Sequence, residues 1–187
     1  IGQTHDVNFS LGESAVTLQA VTVTAARPEE TTRTSEVSTN VSREQIENLP
    51  NWRDVAPRFC SEFGFQSYPS MDIIRSFAAP EDWNIASPVF ESHQKNAGGN
   101  ARIAETMFRY FRWPERFEDF VWLSQLQQGL AIKTAVTAWR ALKPHCQGTL
   151  YWQLNDTWPV CSWSSLDHGG GWKLLHHMAR DFFRPVT

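Results

Sequence analysis

The residue of this chain best placed to do chemistry is Glu62. It stands in Pro57-Arg58-Phe59-Cys60-Ser61-Glu62-Phe63-Gly64-Phe65-Gln66-Ser67-Tyr68-Pro69, at the end of a short apolar stretch and directly before a glycine turn. A strand end that delivers a carboxylate into a cleft is how a barrel enzyme presents a nucleophile. Taken alone, the same segment also reads as an exposed glutamate at a strand–loop junction. The second informative segment is Tyr151-Trp152-Gln153-Leu154-Asn155-Asp156-Thr157-Trp158-Pro159; its Trp152 follows Glu62 by ninety positions.

Other chemistry-bearing residues are less suggestive. Glu91 and His93 fall in the long loop after the first strand, within reach of a cleft, and read first as structural loop residues. His176 and His177 are adjacent on a helix, so their side chains point about 100° apart and make a poor metal pair. Gly169-Gly170-Gly171-Trp172-Lys173 lacks the spacing and the Ser/Thr of a phosphate loop and reads as a turn into a helix. Cys60, Cys146 and Cys161 are an odd number without C-x-x-C spacing, which indicates neither a disulfide framework nor a zinc site.

The elements that must position these residues follow from periodicity. Arg58–Glu62 and Thr149–Leu154 read as strands. Ser70–Phe77 reads as a short helix, Asn100–Phe111 as a longer one, and Phe117–Leu142 as the longest, with an apolar stripe from Phe117 to Val136. Lys143-Pro144 closes that helix, and Trp172–Phe183 is a last one. Strand, helices, strand, helix predicts an α/β fold with parallel βα units.

Together these segments resemble the β-mannosidases of glycoside hydrolase family 2. The likeness runs from about Asp54 to Val186 and includes Ser162-Trp163-Ser164-Ser165-Leu166-Asp167 and Gly169-Gly170-Gly171-Trp172-Lys173-Leu174-Leu175. It implies a partial (β/α)8 TIM barrel, the seventh and eighth strands with their helices, since such a barrel needs eight strands to close. It assigns Glu62 the role of nucleophile in a retaining hydrolysis of terminal β-mannosides. Such chemistry uses two carboxylates about 5–5.5 Å apart. In the family the acid/base is a Glu directly after an Asn, and this chain has no Asn-Glu pair. The resemblance makes Trp152 a stacking wall for the sugar. Asn155 is then a ligand of sugar hydroxyls, or a turn former with Asp156. The implied ligand is a β-mannoside oligosaccharide or glycan; no metal, cofactor or nucleic acid is expected, and the isolated chain is expected to be inactive.

Composition divides the 187 residues near position 51. Of 24 aromatic residues only Phe9 precedes Trp52, and the net charge is −4 over residues 1–51 against +1 over the rest. Neither part is basic enough to suggest nucleic acid. Residues 1–51 and 52–187 are therefore read as two units. In the first, Val7–Leu11 and Val16–Val23 alternate as strands, Thr24–Asn40 is too polar to bury much surface, and Ser42 with Gln45 has the form of a helix start. This segment resembles TonB-dependent outer-membrane receptors of Bacteroides-type bacteria. Gln19–Ala25 matches their coupling box, so Val21–Thr24 would dock a TonB-type coupling protein by strand addition. Periplasm or outer membrane is the location this implies for the parent proteins. A non-functional fusion fragment is the remaining alternative, with a partial barrel prone to aggregate through its open edges.

Overall fold

The computed structural model describes residues 55–185. The expectations for residues 1–54, the coupling box and the Ser42 helix start among them, lie outside the described residues. The element order is β1 (Cys60–Phe63), α1 (Met71–Ile74), a 3-10 turn (Pro80–Asp82), α2 (Pro88–Ser92), α3 (Gly99–Tyr110), α4 (Phe117–Ala141), β2 (Thr149–Tyr151) and α5 (Leu174–Phe182). β1 and β2 pair in parallel, as the βα reading requires. A parallel pair needs a crossover, and here it runs through four helices, of which α4 is the packing partner.

The longest helix explains the core. Along α4 the residues Val121, Gln125, Gln128, Ile132, Ala135 and Trp139 recur three or four apart and are buried. Glu118 and Asp119 in its first turn and Arg140 in its last suit the helix dipole. The C-terminal half of α4 packs on α5 and on the strands; Phe63 and Trp139 meet edge to face with ring centroids 4.8 Å apart. Its N-terminal half supports a second core beneath the long loop, built on Tyr68, Ile74, Phe90, Ile103 and Met107.

Several boundaries differ from expectation. The strands are shorter than predicted; from Gln153 on, the chain bonds to the Trp163–Leu166 segment instead of to β1, with Gln153 N donating to Trp163 O at 3.1 Å. The last helix starts at Leu174 and not Trp172, since Trp172 bridges antiparallel to Leu166 and Lys173 has extended dihedrals. Only one turn of the Ser70–Phe77 helix forms. The loop after it holds an unpredicted helix, α2, capped by Ser87, whose side chain accepts from Val89 N, and opened by Pro88.

Candidate active site

The register of the strand pair decides how Glu62 is presented. Cys60 lies opposite Thr149 and Phe63 opposite Tyr151, so β1 uses three steps where β2 uses two. The extra residue is a bulge, and it breaks the alternation of the strand. Cys60 and Phe63 stay buried while Ser61 and Glu62 are both exposed in succession. A regular strand would have turned one of them inward.

The ends of the two strands then come together. Trp152 N donates to Phe63 O at 2.6 Å, and Trp152 itself is 48% exposed. The next residue of β1's chain is Gly64, where a Cβ would lie 2.4 Å from Trp152 O and 2.9 Å from the Trp163 ring. Only a glycine lets the backbone pass there. The Trp152–Gln153 peptide is cis. Glu62 and Trp152 thus sit at adjacent ends of neighbouring strands. Asn155 is exposed a little further on; its backbone bridges to Leu166 and its carbonyl accepts from Gln153 Nε2 at 2.7 Å.

Buried polar groups tie the segments after the two strands together. Ser67 and Ser162 exchange two backbone hydrogen bonds. Gln128 of α4 donates to Phe65 O at 2.8 Å and Ser164 O at 3.2 Å, and accepts from Ser67 Oγ at 2.8 Å. Asp156 accepts from Ser162 Oγ and Ser164 Oγ, each at 2.5 Å, and pairs with Lys95 at 2.6 Å. Asp167 accepts from the backbone N–H and the hydroxyl of Ser70. Burial pushes the Asp167 carboxyl above its usual range, against the pull of Ser70 and of the Lys173 charge. Burial also lowers the Lys173 ammonium to about 8.

Sequence reasoning missed this network. The one available signal was polar residues at core positions of a helix: Ser124, Gln125 and Gln128 fall on the buried stripe of α4. Glu91, on α2, is exposed and accepts from Asn100 Nδ2 at 3.4 Å. His93 Nδ1 donates to Pro159 O at 2.6 Å and the ring stacks on Phe77 at 4.0 Å, a tether between loops. His176 and His177 both contact the Trp172 ring, and His176 Nδ1 lies 3.0 Å from Ser165 Oγ, within hydrogen-bond distance. Burial, with His177 beside it, lowers the His176 pKa. Gly169 and Gly170, with φ of 93° and 91°, form the tip of the Leu166–Trp172 hairpin and do not enter the helix directly, which corrects the helix-entry reading.

Fold and site define an α/β segment that presents a carboxylate and an aromatic face from neighbouring parallel strand ends. No protein-family model matches the chain. Its similarity is to β-mannosidases: 38% identity over 150 residues with the enzyme of Capra hircus, covering 73% of this chain and 17% of that protein. With β-mannosidase B of Thermothelomyces thermophilus it is 32% over 159 residues, covering 79% of this chain and 18% of the relative. The crystal structure of a β-D-mannosidase from Dictyoglomus thermophilum superimposes with a TM-score of 0.72 at 35% identity, over 75% of this chain and 17% of that one. The chain therefore spans less than a fifth of the length of these relatives.

Proposed function

We propose that residues 52–187 are the C-terminal, nucleophile-bearing part of a β-mannosidase-type retaining glycoside hydrolase. β1 and β2 are then the last two strands of a (β/α)8 barrel, and the ligand is a terminal β-mannoside of an oligosaccharide or glycan. The observation that carries this reading is the bulged β1, which exposes Glu62 beside Trp152 at adjacent strand ends.

In this reading Glu62 attacks the anomeric carbon and forms a glycosyl-enzyme, which water later hydrolyses. The exposed face of Trp152 packs on the apolar face of the hexose and orients it without ionic contacts. Asn155 reaches the sugar hydroxyls, while its neighbour Asp156 is occupied with anchoring the loop. The acid/base has no counterpart in the sequence, which lacks an Asn-Glu pair. General acid catalysis contributes about 10²–10⁴-fold, so turnover of an unactivated mannoside by this chain is negligible.

The test bypasses the missing acid. A 2-fluoro-β-mannoside with a dinitrophenolate leaving group needs little protonation, and mass spectrometry locates any adduct. An adduct on Glu62 that disappears in Glu62→Gln supports the reading. Labelling elsewhere, or none, overturns it. For residues 1–51 the receptor-like reading, with Val21–Thr24 docking a TonB-type protein at the outer membrane, rests on sequence; coupling-protein binding that survives deletion of residues 19–25 eliminates it.

A further inference from the structure

Trp152 is the residue of the site whose aim the fold must set from its flanks. Its ring is 48% exposed, so the backbone that carries it does most of the aiming. Towards β1 that backbone is fixed through Trp152 N, which donates to Phe63 O at 2.6 Å. On the other side the hydrogen bonds converge on one residue, Ser165. Immediately before Trp152, the Tyr151 hydroxyl donates to Ser165 Oγ at 2.9 Å. Just after it, Ser165 N donates to Gln153 O at 3.0 Å and to Leu154 O at 3.1 Å. Ser165 Oγ donates to Leu154 O as well, at 3.0 Å. Ser165 thus grips the chain on both flanks of Trp152.

Ser165 is fully buried and is itself anchored. Its carbonyl accepts from Lys173 N at 3.0 Å, where the chain enters α5, and its hydroxyl lies 3.0 Å from His176 Nδ1 in the first turn of that helix. Three hydroxyl contacts match the one donated and two accepted hydrogen bonds that a serine can make. Alanine at this position would take this partner from the half-buried Tyr151 and remove one donor from Leu154 O. The backbone bonds of residue 165 would remain, so the part played by the hydroxyl can be separated from that of the chain.

We propose that Ser165 is a positioning residue for Trp152: its buried hydroxyl links the residues on either side of Trp152 to each other and to α5, and so fixes the stacking face beside Glu62. The brace exists without substrate; its bearing on sugar orientation rests on the function proposed above.

The measurement is 19F NMR on the full chain labelled with 5-fluorotryptophan, with signals assigned by Trp→Phe variants, alongside the rate of Glu62 labelling by the 2-fluoro-β-mannoside. In Ser165→Ala the Trp152 signal is expected to move or broaden while Trp139, in the strand core, stays still. Labelling should slow roughly tenfold to a hundredfold, as a displacement on the ångström scale implies. A substitution that only destabilises the fold slows labelling in proportion to the folded fraction, which the Trp139 signal reports; loss of a positioning residue slows it beyond that.

Tyr151→Phe keeps the ring that stacks on Phe183 and removes only the donor to Ser165. It should disturb Trp152 in the same direction but less, and remains informative if Ser165→Ala does not fold. In the Ser165→Ala background it should add little, because Tyr151 acts through the serine hydroxyl. A Trp152 signal and a normalised labelling rate unchanged in Ser165→Ala, or in Tyr151→Phe where that variant alone folds, overturn the proposal. So does a Tyr151→Phe effect that is the same with and without the serine hydroxyl. Absence of Glu62 labelling in every protein, with the Trp152 signal moving as expected, would instead overturn the enzymatic reading and leave the brace standing.

Discussion

Gly64 shows how little room the candidate site leaves at single positions. A methyl group there would meet Trp152 O at 2.4 Å, and a backbone carbonyl cannot move aside as a flexible side chain can. Gly64→Ala should cost about 1–3 kcal/mol by overpacking and suppress Glu62 labelling; urea denaturation with the labelling assay checks both. Lys173 makes the pH prediction. Its folded pKa, about 8, lies below its ordinary 10.5, so above pH 8 the unfolded chain binds the extra proton and stability rises with pH. The gain is confined to roughly pH 8–9, because the raised Cys60 and Cys161 thiols then hold protons that the unfolded chain releases, and the trend reverses. Urea midpoints at pH 7.5 and 9 should therefore diverge between wild type and Lys173→Met, and a constant difference would contradict the assignment.

Among the elements, α4 does two unlike jobs. Towards its C-terminus it supplies apolar surface to the strands; in its middle it supplies hydrogen bonds to the segments that leave them. Gln128→Leu would strand Phe65 O, Ser164 O and the Ser67 hydroxyl in the interior. Each loss of a partner costs about 1–3 kcal/mol, not additively, so about 2–4 kcal/mol is expected from urea denaturation. Gly129, one residue on, faces α5. A methyl there meets the Met178 sulfur at 2.5 Å but the Leu175 backbone only at 3.7 Å. Met178 can swing away, and alanine favours the helix by about 1 kcal/mol, so Gly129→Ala should be close to neutral in thermal melts.

At the scale of the whole molecule, the described sheet has only two strands, and large apolar side chains on β2 and just beyond it are exposed. Leu150, Trp152 and Leu154 are 58%, 48% and 57% exposed, and neither strand has a further neighbour among the described residues. Parallel strands are ordinarily covered on both faces, and free edges recruit other chains. The chain by itself should self-associate, and Leu150→Lys with Leu154→Lys should reduce this in light scattering after gel filtration. A wild-type chain that stays monomeric at all accessible concentrations would show that this exposed apolar surface is not adhesive. Among the described residues no helix is long and apolar enough to cross a membrane.

The sequence by itself determined the long elements and the chemistry on offer. The apolar stripe from Phe117 marked α4 to within a residue, because helical burial repeats locally and can be read from spacing alone. The order strand, helices, strand, helix likewise announced a parallel pair. Glu62, Trp152 and Asn155 could be named from their segments, but not their presentation. Whether Glu62 points outward depends on the bulge, and a bulge is a property of the pairing between β1 and β2, not of either strand. The tertiary structure alone also decided which polar residues go inside. Asp156, Asp167 and Lys173 look like surface residues in a list of residues; they are buried because partners 61 and 97 positions away satisfy the two carboxylates. Long-range compensation of charge leaves no local period to read, and it is what joins the two halves of the site.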